Sequence, residues 1–143
     1  MNWNLKEQVP TFHVTRLTVA IDYYGRLGFG VQWRWPREEP SHIGLRCGSC
    51  ALMLIQGSSS SGHGEVYFVV DDVDACYQAF LDSKPWEVAR EYAVALQSDF
   101  QPDPASLECV KAPELRDHGH RDFVIVDPWG HRLTFGCDET HSS

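Results

Sequence analysis

The chain contains one apolar helical pattern twice, and this repetition restricts the fold more than any other feature of the sequence. The two copies are separated by 56 positions (70 − 14 = 56). The matching sets are Val14, Leu17, Ala20, Ile21 and Tyr24 in the first half and Val70, Val73, Cys76, Tyr77 and Phe80 in the second. Apolar residues three and four apart share one face of a helix. Two such units are too few for a repeat array, so we predict two similar modules related by a pseudo-twofold axis.

The first module, about residues 8 to 56, reads as a strand, a helix and three more strands. We predict strands at 9–14, 31–35, 43–46 and 51–55 and a helix at 17–27 that Gly28 ends. Cys47-Gly48-Ser49-Cys50 suits a two-residue hairpin turn. A flexible linker from Gly57 to Gly62 follows.

The second module, about residues 64 to 138, repeats this order with a longer middle. We predict strands at 65–70, near 86–91, at 123–126 and at 131–136, and a helix from Asp71 or Asp72 to Leu81. Leu45, Leu52 and Leu54 match Val126, Leu133 and Phe135 at a larger spacing (126 − 45 = 81). The spacing is larger here than in the helices, which indicates that the second module contains an insertion, and we place it at 97–116.

The insertion has prolines at 102, 104 and 113 and weak periodicity, which predicts an irregular excursion. Phe100 and Leu107 are apolar enough to hold it over a cavity as a lid. A mobile surface loop is the alternative.

Composition excludes several classes of function. A chain of 143 residues with 43% hydrophobic residues suits a single domain, here 1–143, and has no apolar run long enough to span a membrane. Five cysteines at irregular spacing and no export signal favour a cytoplasmic protein. The net charge of −8 argues against nucleic acid as a partner; we interpret it as a source of ordinary solubility, which would also help a cationic ligand approach.

Three segments resemble the vicinal oxygen chelate superfamily, in the branch of the bleomycin resistance proteins. They are the helix exit at 26–29 after a Tyr-Tyr pair, the segment 65–74 (EVYFVVDDVD) and the segment 120–136 (HRDFVIVDPWGHRLTFG). The resemblance implies an α+β fold of two paired βαβββ modules that form curved mixed sheets around a cavity. It also implies a homodimer, in which modules are often exchanged between subunits.

The resemblance places metal ligands on the first and fourth strands of each module in the metal-dependent members. The equivalent positions here are Val9, Met53, Glu65 and Thr134. Only Glu65 is a good ligand, and a catalytic metal needs about three. We therefore expect neither a metal nor another cofactor. No nucleophile motif is present, and we assign no catalytic residue.

Histidines could still rebuild a site elsewhere. His13 lies four residues after Val9 on the same strand face, and His118 and His120 enter the seventh strand. A shifted metal site around His13 and Glu65, as in a glyoxalase or dioxygenase, is the alternative to polar pocket walls. We expect His131 and His141 to be solvated, and we read the cysteine pair 47/50 as a coincidence.

Strand alternation divides the sheets into a core face and a ligand face. The ligand face would carry Thr11, His13, His42, Met53, Ile55, Glu65, Tyr67, Phe123, Ile125 and Thr134. Trp33 and Trp35 could supply a stacking wall, and His118 and His120 complete the candidates. Mixed apolar, aromatic and polar surface is typical of small-molecule pockets.

These observations favour a metal-independent protein that binds a small, cationic or aromatic, antibiotic-like ligand and sequesters it. No positive charge occupies the positions equivalent to Glu65, so we expect this carboxylate to anchor a ligand cation. The alternatives are the shifted metal site and a metal-independent enzyme with Glu65 as its base.

Overall fold

The structure, a computed structural model, describes residues 2–57 and 64–138. Most of the predicted linker and His141 lie outside these residues. The first module contains β1 (Thr11–Val14), α1 (Leu17–Arg26), β2 (Gly30–Trp35), β3 (His42–Cys47) and β4 (Cys50–Gln56). The second contains β5 (Glu65–Val69), α2 (Val73–Ser83), α3 (Pro85–Leu96), β6 (Glu114–Leu115), β7 (His120–Val126) and β8 (Arg132–Asp138).

Each module builds one four-stranded sheet, and the two sheets have the same topology. The strand orders are β1-β4-β3-β2 and β5-β8-β7-β6, with one parallel pair and two antiparallel pairs in each. In the parallel pairs, Thr11 lies opposite Met53 and Tyr67 lies opposite Thr134. Thr11 and Tyr67 are equivalent positions at the sequence spacing of 56, and Met53 and Thr134 are equivalent at the spacing of 81. The duplication and the α+β fold of two βαβββ modules are therefore confirmed.

The helix boundaries predicted from the sequence at Asp72 and Gly28 are also present in the structure. Asp72 caps α2, because its side chain accepts a hydrogen bond of 3.0 Å from the backbone N–H of Ala75. Gly28 follows the end of α1 with φ +97°, a left-handed conformation that favours glycine. The 47–50 hairpin is present, with Cys47 opposite Cys50. Among the described residues, no helix is long and apolar enough to cross a membrane.

The strand predicted near 86–91 is wrong, because these residues belong to helix α3. Lys84 adopts a left-handed conformation (φ 52°) that separates α2 from α3, and Pro85 occupies the first turn of the new helix, where its missing N–H costs nothing. Trp86 and Ala89 are buried at helical spacing. Tyr92 extends the same face and donates a hydrogen bond to Asp22 of α1. Over six residues this pattern is hard to distinguish from strand alternation.

The prediction that Phe123 and Ile125 face the ligand is also wrong. Phe123 pairs with Phe135 and Ile125 with Leu133, so all four lie on the core face. The turn between Val126 and Arg132 has an odd number of residues, whereas the 47–50 hairpin has a two-residue turn. Strand β7 is therefore shifted by one position from the alignment with β3. A shift of one residue moves every side chain of a strand to the other face.

The excursion at 97–116 contains only short elements, as predicted: 3₁₀ helices at Gln97–Asp99 and Pro104–Leu107, then β6. It is nevertheless part of the core, because Phe100 and Val110 are buried. The Phe100 ring lies 6.0 Å from that of Trp129, and the N–H of Asp103 donates to the carbonyl of Pro128 at 2.7 Å. Phe100 and Asp103 thus hold this part of the excursion against the 127–130 turn.

A buried polar joint holds the modules together, and His131 is at its centre. His131 is 3% exposed, so the prediction that it is solvated is wrong. Its ring stacks on Phe12 of β1 at 4.4 Å, its Nδ1 accepts from the N–H of Gly64 (2.9 Å), and its Nε2 donates to the carbonyl of His13 (2.9 Å). The turn residue Asp127 accepts from the backbone N–H of His131 at 2.8 Å, which fixes the ring next to the first module.

Candidate functional site

Seven of the predicted ligand-binding residues share one face of the first sheet, opposite the face that packs on the helices. We call it the first open face. The ladders place His13 beside Ile55, Ile55 beside His42, and His42 beside Trp35. The full set is Thr11, His13, Trp33, Trp35, His42, Met53 and Ile55.

Two tryptophans dominate this face. Trp33 is 43% exposed and Trp35 is 62% exposed, although both belong to strand β2. The Trp33 indole covers Gly44, where a side-chain Cβ would lie 2.0 Å from its Nε1. Trp35 contacts the His42 ring edge to face at 5.5 Å, and His42 Nδ1 is 2.8 Å from the hydroxyl of Ser41. The face therefore offers aromatic surface for stacking beside a hydrogen-bonded imidazole.

The equivalent face of the second sheet, the second open face, is more polar. Glu65, Tyr67 and Thr134 lie on it, together with His120 at its edge. The Tyr67 hydroxyl is 3.0 Å from His120 Nδ1, and the rings of His118 and His120 are 4.9 Å apart. The structure thus brings together the predicted residues Tyr67, His118 and His120.

The sequence analysis did not identify two charged residues beside Tyr67, which are Arg116 and Asp122. Arg116 donates to Asp122 at 2.7 Å and to Glu114 at 3.0 Å. Desolvation, followed by the nearby negative charge of Asp122, raises the pKa of the Tyr67 hydroxyl above its ordinary value. Asp122 alternates with Phe123 on β7, and the correct register of that strand would have placed it on the open face.

The environment of Glu65 differs from the prediction of an uncompensated carboxylate. Glu65 pairs in register with Arg132 of β8, and its Oε1 lies 3.4 Å from Arg132 Nε. Both side chains are more than half exposed. The cation that the sequence mapping did not find therefore comes from the neighbouring strand, and an exposed pair of this kind contributes little to stability.

The residues at the family's ligand positions do not form a metal site. Val9 and Met53 offer no oxygen or nitrogen donor, Thr134 is a weak ligand, and Glu65 already pairs with Arg132. Across residues 2–57 and 64–138, no group of three or more His, Cys, Asp and Glu side chains is placed to hold a metal ion. His13 and Glu65 form no such group with His118 or His120.

Cavities open onto both faces. One of about 290 Å³ lies on the first face, where Val9, Trp33 and Met53 contribute to its walls. Another of about 380 Å³ lies between the second face, at Val124 and Arg132, and residues 108–112 of the excursion. The excursion therefore forms one wall of a cavity, the location that the sequence suggested for a lid.

A βαβββ pair with open, partly aromatic sheet faces defines a class of proteins that use one scaffold for binding and for catalysis. The sequence profile of the Glyoxalase/Bleomycin resistance protein/Dioxygenase superfamily matches residues 10–135, and the chain belongs to this superfamily. A search of curated protein sequences finds no relative.

Solved structures with this fold include a bleomycin-binding protein, a bleomycin resistance determinant and a lyase. A bleomycin-binding protein complexed with bleomycin is 19% identical, with a TM-score of 0.70 over 94% of this chain and 100% of the other. A bleomycin resistance determinant encoded on transposon Tn5 is 19% identical, with a TM-score of 0.67 over 94% and 99%. Lactoylglutathione lyase from Agrobacterium tumefaciens is 16% identical, with a TM-score of 0.55 over 98% and 100%. At these identities the similarity establishes the fold alone.

Proposed function

We propose that this protein binds a small aromatic or cationic molecule, of the kind represented by bleomycin, and sequesters it without chemical change. The observation that carries the proposal is the pair Trp33 and Trp35, both exposed on the first open face. Exposed tryptophans on a strand of a folded sheet are costly unless another surface or a ligand covers them. A flat, conjugated ligand would cover both indoles.

Charge supports a cationic ligand. The chain has a net charge of −8, which draws cations toward its clefts. On the second open face, the cations Arg116 and Arg132 are each paired with carboxylates, so they do not repel a positively charged group. Glu65 remains a candidate anchor, because a ligand cation could join its ion pair with Arg132 or replace Arg132.

We further propose that the functional unit is a homodimer. The second open face exposes Tyr67 and Val69, which are 40% and 74% exposed, and the first exposes the two tryptophans. Pairing the first open face of one copy with the second open face of its partner would enclose the ligand between an aromatic and a polar wall. Light scattering at micromolar concentration should then give twice the 16.2 kDa mass of the chain.

Titration with metal-free bleomycin, followed by tryptophan fluorescence, tests the proposal. We expect saturable quenching, and Trp35→Ala should weaken binding about 2- to 10-fold, the effect of losing one stacked aromatic contact. Trp3→Ala is the matched control, because Trp3 is about as exposed as Trp35 but precedes β1 and belongs to neither sheet. Equal effects of the two substitutions would contradict stacking on Trp35. Recovery of chemically modified bleomycin after incubation would contradict sequestration.

A further inference from the structure

Three cysteines line a third cavity, on the helix side of the sheets and away from the candidate site. This thiol cavity has a volume of about 560 Å³ and lies between the 47–50 hairpin of the first module and α2 of the second. Its thiols are Cys47, Cys50 and Cys76, all in the free form. Most of the rest of its wall is apolar and includes Leu27, Phe29, Phe68, Phe80 and Phe135.

The sheet register directs the hairpin cysteines toward α2. Cys47 and Cys50 are cross-strand partners and share a face with the next core pair, Leu45 and Leu52. The Sγ of Cys47 lies only 3.4 Å from the position that a Cβ on Gly28 would take, so the thiol points to the helix side of the sheet, next to the end of α1. Cys76 approaches from α2, where it packs against the core.

We propose that Cys47 and Cys76 form a reversible disulfide that joins the β3–β4 hairpin of the first module to helix α2 of the second. The oxidant is a low-molecular-weight disulfide such as glutathione disulfide. The Cys47 thiolate attacks one sulfur of this molecule, whose S–S bond breaks, and one glutathione thiolate leaves. The Cys76 thiol then loses its proton to solvent and attacks the Cys47 sulfur, which releases the second glutathione. Two protein thiols are oxidised, and one glutathione disulfide is reduced to two thiols.

Exposure determines the order of these steps. Cys47 is exposed and meets the oxidant first, whereas Cys76 is half-buried. Desolvation, with a smaller contribution from the nearby Cys47, raises the pKa of Cys76 to about 11. The second step is therefore slow at neutral pH, because only the thiolate attacks a disulfide. Cys50 is the competing partner for Cys47, since the hairpin holds these two residues opposite each other.

Peptide mapping of the oxidised full-length protein tests the proposal. The native protein is incubated with excess glutathione disulfide, its free thiols are blocked by alkylation, and it is digested without reduction for mass spectrometry. We expect a linked peptide pair containing Cys47 and Cys76, and an unchanged yield of it from Cys50→Ser. In Cys76→Ser, Cys47 should instead retain glutathione as a mixed disulfide.

Two results would overturn the proposal. One is that the wild-type protein yields a Cys47–Cys50 link, or keeps glutathione on Cys47 as a mixed disulfide. This result does not depend on the folding of any variant. The other is a linking rate that does not depend on pH. Because Cys76 titrates far above neutrality, the rate of the second step should rise about tenfold per pH unit between pH 7 and 9.

Discussion

The buried hydrogen bond between Tyr24 and Asp127 should contribute more to stability than any other tyrosine contact at the module joint. Both side chains are fully buried, and the Tyr24 hydroxyl donates to Asp127 Oδ2 at 2.6 Å. Asp127 also accepts from the backbone N–H groups of Trp129 and His131, so this carboxylate organises the turn that positions His131. Replacing Tyr24 with Phe removes one donor and leaves the aromatic packing in place.

The chain offers a matched control one residue away. Tyr23 is also fully buried on α1, but its hydroxyl donates to the neutral carbonyl of Val126 at 3.1 Å. A hydrogen bond to a charged group contributes about 1.5–3 kcal/mol and a neutral one about 0.5–1.5 kcal/mol. We therefore expect Tyr24→Phe to lower the free energy of unfolding by about 2 kcal/mol and Tyr23→Phe by about 1 kcal/mol.

The loss in Tyr24→Phe should also depend on pH. Desolvation raises the pKa of Asp127 above its ordinary 3.8, and the Tyr24 hydrogen bond opposes that rise. Removing the Tyr24 hydrogen bond raises the pKa of Asp127 further in the variant, and at a pH above that pKa the carboxylate is charged and the substitution has its full effect. As the pH falls through the pKa of Asp127 in the variant and then in the native protein, the lost bond comes to involve a neutral acid, and the effect shrinks. Tyr23→Phe should show no such dependence.

Urea denaturation of the three proteins at neutral and acidic pH measures both expectations. With an m-value of about 2 kcal/mol/M, a loss of 2 kcal/mol moves the midpoint by about 1 M. Equal losses for both variants at every pH would refute the reasoning, because the charge on Asp127 would then not contribute through Tyr24.

Two further predictions concern the excursion and the joint. Phe100→Ala should lower the free energy of unfolding by about 3–5 kcal/mol, because Phe100 is only 4% exposed and packs against Trp129. The control Val94→Ala, at a position that is 76% exposed, should change the free energy of unfolding by less than about 0.5 kcal/mol. Thermal unfolding measures both and distinguishes a core element from a dispensable lid. His131→Ala should lower the free energy of unfolding by about 2–4 kcal/mol, because it removes the stacking on Phe12 and the hydrogen-bond acceptor for Gly64. Amide hydrogen exchange at Gly64 should become faster, and unchanged exchange there would argue against the buried joint.

Much of the candidate site could be predicted from the sequence, because the first module has short connections. A two-residue turn at Gly48-Ser49 joins β3 to β4, so alternation alone assigned His42, Met53 and Ile55 to one face. The second module has a longer turn and an insertion. There, the same alternation placed Phe123 on the ligand face, although it packs in the core beside Phe135.

The sequence alone determined the duplication, the α+β class and the helix boundaries at Gly28 and Asp72, since these depend on local periodicity, capping and backbone conformation. Tertiary structure decided which groups of the second module meet. The pairing of Glu65 with Arg132, the Tyr67–His120 contact and the burial of His131 each join residues distant in sequence. Such contacts depend on strand register and on how the modules pack, and a difference of one residue in a turn reverses which side chains face the ligand.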